Sequence, residues 1–457
     1  MPLGPAYAAT SAIDELRARD YARLDAQDHV YLDYTAGSLY ATSQIDRHAA
    51  LLRDGLFGNP HSGNPTASRS TELCNRARRA VLDFFHASPD EWVAIFTANA
   101  SQALKLIGES YPFGPDGRYL LTFDNHNSVN GIREFARAKG TATTYVPIVL
   151  PEMRVDEGVF EDELDSRAGT GAHLFAFPAQ SNFSGVQHPL DWVARAKARG
   201  WDVLLDAAAF TPTNALDLSQ VKPDFVVQSM YKMFGYPTGV GCLLARREAL
   251  ARLRRPWFAG GTITVASVQG DRYYLADNEL AFEDGTPDYL ALPAVEMGID
   301  HLRTVGIGLI HERVQCLTAT LLDRLVALAH PGGRPLARVF GPLTTDGRGG
   351  TVSFNFYGAD GVAVDHRIVE ARANVANISL RTGCFCNPGG GEVALGISGT
   401  ELSSCFRKPE HETRLTLDDF RRCIDGKSSG AVRVSLGIVS NAADVDRFIA
   451  FAEGFLR

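Results

Sequence analysis

The sequence predicts an α/β protein, a mostly parallel sheet flanked by helices with a smaller α+β domain after it. Two observations predict this. Short apolar runs alternate with amphipathic stretches up to about residue 305, and beyond that point the texture changes to a long helical stretch with Gly- and Pro-rich connections. Alternating strand and helix signals imply parallel strands covered on both faces. The strand candidates are Val93–Thr97, Tyr119–Phe123, His173–Phe177, Asp202–Leu205, Phe225–Gln228 and Val240–Ala245. The intervening helix candidates are Cys74–His86, Ser101–Gly108, Gly131–Lys139 and Leu190–Arg199. In the second region a helix is expected over Gly308–Ala329, a strand over Thr351–Phe356, and a helix near Ala363–Ala373. A loop-rich stretch follows from Arg381 to Thr413, then a strand at Val432–Ser435 and a terminal helix at Ala442–Phe455. An N-terminal helix, roughly Ser11–Leu24, is expected to pack on the smaller domain. The expected division is 1–30, 31–304 and 305–457.

Composition narrows the function classes. The 457 residues are 45% hydrophobic and 21% charged, as in ordinary globular proteins, so a disordered or fibrous chain is excluded as the dominant state. A net charge of −8 argues against a general nucleic-acid binder. No apolar run approaches the roughly 20 residues that span a bilayer. The first residues lack a basic segment followed by an apolar one, so no secretory signal is expected. Seven cysteines, an odd number spread thinly, predict reduced thiols in a cytosol rather than a disulfide framework.

Active sites of open α/β sheets lie beyond the carboxyl ends of the strands, and five elements of this chain fall there. In QSMYKMFG, Lys232 follows a strand end; desolvation there lowers an amine's pKa and makes it a nucleophile or base, whereas a solvated loop lysine does neither. In WDVLLDAAAF, Asp206 ends an apolar strand and needs a partner, either a pyridinium nitrogen or the backbone of a following helix. In FTANASQALK, the turn at Ala100 and Ser101 opens a helix whose backbone N–H groups suit a phosphate, or is an ordinary capped turn. His126 of DNHNSV can stack on a ring or act as acid or base, and Asn182 of QSNFSG can bond a ring hydroxyl or stabilise a turn. Together a Schiff-base lysine, a pyridinium aspartate, a phosphate turn, a stacking ring and an amide are what pyridoxal 5'-phosphate requires.

These residues sit within YLDYTAGSLY, GNPHS, DNHNSV, LLDAAAF, SMYKMFGYPTGVG, FAGGT, FEDGTPDYL, RTGCFCNPG and GAVRVSLG, which run in order from about residue 30 to the end. In this the chain resembles the fold-type I, class V aminotransferase family, in its cysteine desulfurase branch, with the greatest similarity to the desulfurase domain of molybdenum cofactor sulfurases. The resemblance implies a seven-stranded-type sheet, pyridoxal phosphate as cofactor and Lys232 bonded to it. It further implies Asp206 on the ring nitrogen, His126 stacked on the ring and Asn182 on its hydroxyl. Ser229, Tyr231, Ala100 and Ser101 are implied at the phosphate, with Thr286 lent to it by the second subunit of a homodimer. Arg433 is implied on the substrate carboxylate, as a bidentate pair. The family's R-x-G-x-x-C run places a persulfide-forming cysteine at Cys386, with Cys384 in the same loop and Arg381 as a nearby cation.

Such a thiol must be mobile and exposed; a structural thiol is the alternative. No metal is expected, because no second Cys/His pair of zinc-like spacing stands beside Cys384 and Cys386. The sequence departs from typical desulfurases at Tyr231, Ala209 and Asn99, the first two in the manner of the sulfurases. No counterpart of the sulfurase second domain follows Arg457, so the acceptor of the sulfur stays open between a protein and a small molecule. The expected activity is removal of sulfur from L-cysteine with release of alanine. The alternatives are a C–S lyase, epimerase, decarboxylase or aminotransferase that uses no persulfide, or a scaffold without turnover. No membrane partner is expected and the expected location is cytoplasmic.

Overall fold

A computed structural model describes residues 4–166, 170–408, 411, 413–416, 419, 420, 423 and 429–456. Seven strands form the main sheet: β1 (Trp92–Thr97), β2 (Arg118–Thr122), β3 (Ala142–Val146), β4 (His173–Pro178), β5 (Asp202–Asp206), β6 (Phe225–Ser229) and β7 (Gly241–Arg246). Their spatial order is β1-β7-β6-β5-β4-β2-β3. Only β7 runs antiparallel to its neighbours; the other pairings are parallel. Buried residues alternate between two clusters even on β1, where Trp92, Ala94 and Phe96 join one and Val93 and Ile95 the other. That division shows apolar packing on both faces of the sheet.

Four further strands, β8 (Ala337–Phe340), β9 (Thr351–Phe356), β10 (Arg381–Gly383) and β11 (Ala431–Ser435), form an antiparallel sheet in the order β8-β9-β11-β10. Helices Ile307–Ala327, His366–Val375 and Ala442–Glu453 accompany it. The N-terminal helical segment divides into Ala12–Asp20 and Arg23–Ala26. Arg17 bonds Asp444 at 2.7 Å and the Val439 carbonyl at 2.8 Å, and Asp14 meets the buried Arg313.

The sequence expectations differ from the structure in identifiable ways. Strand β3 was not anticipated, because ATTYV is a half-exposed edge strand without a continuous apolar run. The helix expected from Cys74 begins at Pro65, capped by the Asn64 side chain. The stretch expected to be loop-rich contains β10 and two helices, Pro388–Leu395 and Gly399–Phe406; its residues 409, 410 and 412 lie outside the described residues. The expectation of reduced thiols is corrected at one pair. Cys405 and Cys423 have Cα atoms 5.4 Å apart and are joined by a disulfide, while Cys74, Cys242, Cys316, Cys384 and Cys386 are free.

Candidate active site

The carboxyl ends of β1, β2, β4, β5 and β6 converge on one cleft of about 100 Å³. Ala100 and Ser101 reach it from β1, His126 from β2, Asn182 from β4, Asp206 from β5, and Ser229, Tyr231 and Lys232 from β6. Thus eight of the sequence candidates line a single site. Lys232 and Asp206 stand close enough for each to act on the other's charge environment. Burial pushes the Lys232 amine below its ordinary value; Asp206 opposes that shift and Arg433 adds to it.

A lysine whose folded pKa is depressed binds fewer protons than in the unfolded chain, so its burial destabilises the fold below the unfolded value of 10.5. In cofactor-free protein, Lys232→Met is therefore expected to unfold at higher denaturant than the wild type at pH 7. The gain should shrink as the pH approaches 10.5. Urea titrations across that range check this, and a gain independent of pH would contradict it.

Glycines make the cleft's close approaches possible. A Cβ on Gly241 would lie 2.3 Å from the backbone of Asn99 and 2.6 Å from that of Ala100, so only glycine lets β7 start against the phosphate-type turn. Gly235, at φ 81°, closes the lysine helix Met230–Phe234, and a Cβ there would meet the backbone of Leu39 and Tyr40 at 2.4 Å. The Asn99 side chain accepts from the Gln102 amide and caps the helix Ala100–Ser110. His126 also caps, its Nδ1 accepting from the Ser128 amide at 3.1 Å. Burial, and after it the charge of Lys232, holds His126 below the usual imidazole range. The ring is therefore neutral at pH 7.

The loop Cys384–Asn387 is hydrogen-bonded to Asn182, which lines the cleft, and to Asn127, which follows His126. Phe385 and Cys386 take φ values of 56° and 55°, a left-handed conformation that costs non-glycine residues roughly 1–2 kcal/mol each. Tethers on their carbonyls maintain it. Asn182 Nδ2 donates to the Phe385 carbonyl at 2.7 Å, and the Asn127 amide donates to that of Cys386 at 2.7 Å. The backbone is thus fixed while the Cys384 and Cys386 thiols stay exposed. Exposure weakens the structural-thiol alternative for both. Cys386 lies within electrostatic range of Lys232, Arg381 and Arg433.

The structure adds detail at four of these residues. Asn182 lines the cleft, but its amide is engaged by the loop: besides the bond to Phe385, its Oδ1 accepts from Asn387 at 2.9 Å. Thr286 is not brought to the Lys232 cleft; within one chain it lines a separate cavity with Thr97, Ala98 and Gln102 on the other side of the β1 turn. Neither Arg381 nor Arg433 is a free cation. Asp33 accepts from Arg381 at 2.6 Å and from Arg433 at 3.2 Å. Arg433 also donates to the Asn182 carbonyl at 2.9 Å and lies over the Phe385 ring. Burial pushes it down to about 10, with Asp33 opposing, so it remains charged at neutral pH. Its Nε is buried without a partner.

Asp33 is the residue sequence reasoning passed over. The signal was present, an acid directly after the apolar run VYL. Asp33→Ala strands the buried Arg433, and breaking such a pair costs about 3–5 kcal/mol. Urea unfolding should show that loss; a change below about 1 kcal/mol, the worth of a surface pair, would contradict it.

Comparison with known proteins places this arrangement. The backbone superposes on the cysteine desulfurase from Thermococcus onnurineus with a TM-score of 0.77 at 23% identity, covering 97% of this chain and 98% of the other. The fold is therefore the fold-type I α/β architecture. The class-V aminotransferase family model matches residues 30–448, and the chain belongs to that family. Among curated relatives, the molybdenum cofactor sulfurase of Solanum lycopersicum is 37% identical over 96% of this chain and 57% of its own length. The human molybdenum cofactor sulfurase is 34% identical over 96% of this chain and 51% of its own. The chain thus spans about half the length of these relatives.

Proposed function

We propose that the protein is a pyridoxal-phosphate-dependent sulfurtransferase that removes sulfur from L-cysteine as a persulfide on Cys386 and releases alanine. The observation that carries it is the cleft that holds a buried amine of lowered pKa and a carboxylate at the next strand end, with the exposed Cys386 thiol within electrostatic range of that amine. Support also comes from the family and from the chain's similarity to molybdenum cofactor sulfurases.

The residues fit the cofactor. Lys232 would bond its aldehyde and Asp206 its ring nitrogen, with His126 on the ring face and Asn182 at the ring hydroxyl. The Ala100–Ser101 turn, Ser229 and Tyr231 would receive the phosphate. When bound, pyridoxal phosphate supplies an electron sink for charge developing at the substrate Cα. The protein does the rest. Arg433, charged and buried beside the Phe385 ring, would pair with the carboxylate of the amino acid. The Lys232 amine, neutral more readily for being buried, accepts the Cα proton. The Cys386 thiolate attacks the substrate sulfur: a protein S–S bond forms, the C–S bond breaks, and its electron pair remains with the carbon that becomes alanine's methyl. The exposure of the thiol suits delivery to an acceptor, a protein or a small molecule.

The same proposal divides the chain at about residues 30 and 304. It makes the protein a homodimer in which Thr286 serves the partner's phosphate site, the separate cavity beside the β1 turn being where a second chain would enter. A cytoplasmic location belongs to it too, supported by five unpaired thiols; among the described residues no helix is long and apolar enough to cross a membrane.

The test is incubation of the cofactor-loaded protein with L-cysteine, followed by peptide mass spectrometry and amino-acid analysis. Alanine and one added sulfur on the Cys386 peptide are expected. Pyruvate and sulfide with no protein-bound sulfur would identify a C–S lyase instead.

A further inference from the structure

Away from the cleft, three side chains with soft or borderline donor atoms meet between the sulfur loop and β11. Cys405 lies buried on the last turn of the helix Gly399–Phe406, and His411 and Cys423 are half-buried beside it. One donor atom from each lies within 4.8 Å of the others, and this is the one such group of three among the described residues. We propose that, once its disulfide is reduced, the Cys405–His411–Cys423 trio is a binding site for a zinc-like divalent cation.

The geometry supports a tetrahedral centre. With bonds of about 2.3 Å to sulfur and 2.0–2.1 Å to nitrogen, the N···S edges of such a centre measure about 3.5–3.6 Å and the S···S edge about 3.8 Å. His411 Nδ1 already lies 3.8 Å from Cys405 Sγ and 3.9 Å from Cys423 Sγ. Two of the three edges thus need a shift of only a few tenths of an ångström, and the third opens when the sulfurs part. Nδ1 also lies 2.8 Å from the Cys405 carbonyl. In the disulfide form it carries the proton and donates to that oxygen; with metal bound the proton sits on Nε2 and the Nδ1 lone pair faces the ion.

The chemistry balances. Two molecules of a small thiol reduce the Cys405–Cys423 bond: one protein S–S bond breaks, one small-molecule S–S bond forms, and each protein sulfur gains a proton. Cation binding then expels both protons, leaving two thiolates, a neutral imidazole and one position for solvent. No zinc-type spacing stands next to Cys384; this group lies farther along, with five residues between Cys405 and His411 and eleven between His411 and Cys423.

The test uses the full chain, reduced with a thiol, exchanged into thiol-free buffer under nitrogen, treated with excess Zn2+ and desalted. Elemental analysis should find one zinc per chain, against none in the disulfide form. Alkylation mapped by mass spectrometry should show Cys405 and Cys423 shielded and Cys384 and Cys386 still reactive. Cys405→Ser, Cys423→Ser and His411→Ala should each lose the retained zinc. No retained zinc in the reduced wild type would overturn the proposal, as would full retention in the double Cys405→Ser, Cys423→Ser variant. Shielding of Cys384 or Cys386 in place of the pair would overturn it as well. The wild-type readouts need no variant to fold, and none depends on turnover of cysteine.

Discussion

Lys232→Ala is expected to lower alanine formation from L-cysteine by at least about 10²–10⁴, the range that a positioned proton-transfer group contributes. The reason is positional. The amine sits in the short helix Met230–Phe234, directly after β6, and lines the same cleft as Asp206. Burial keeps it poised to shed its proton, while the acid at the end of β5 limits the shift. Alanine loses the base and the covalent attachment but leaves the strand ends intact, so circular dichroism and thermal unfolding should stay close to the wild type. Turnover within tenfold of wild type would remove the lysine from the chemistry.

The second large effect is at the Cys386 thiol. Cys386→Ala should reduce alanine formation by at least about 10³, the scale seen when a nucleophile is deleted. The absorbance of the bound cofactor should persist. This dissociation of binding from turnover follows from the structure of the loop. Its backbone is held through the carbonyls of Phe385 and Cys386, so loss of the sulfur leaves the tethers from Asn182 and Asn127 in place. A merely structural thiol would instead give a stability loss with turnover per folded molecule preserved. Undiminished alanine production in this variant would show that the sulfur leaves by a route without the persulfide.

Much of this was legible in the sequence because the main sheet obeys simple rules. Apolar runs such as HLFAF and VLLD become strands buried on both faces, and the chemistry-bearing residues follow them at the edge where parallel strands end. What was not legible has physical causes too. CNPGGGE reads as loop by composition, yet Asn387 caps the helix Pro388–Leu395 and Pro388 takes its first turn, a signature that Gly and Pro content obscures. The Ser398 and Glu401 capping box announced the next helix. Asp33 was hidden for a different reason: its two arginines are about 350 and 400 residues away in sequence, and only the tertiary fold brings them to it.

The account rests on Lys232 as the attachment point of pyridoxal phosphate, and one measurement addresses it directly. The purified protein is loaded with pyridoxal phosphate, reduced with borohydride, digested and mapped by mass spectrometry. A single phosphopyridoxyl group on Lys232, lost in Lys232→Ala, is the predicted result. A label on other lysines with Lys232 unmodified, or no label at all, would contradict it.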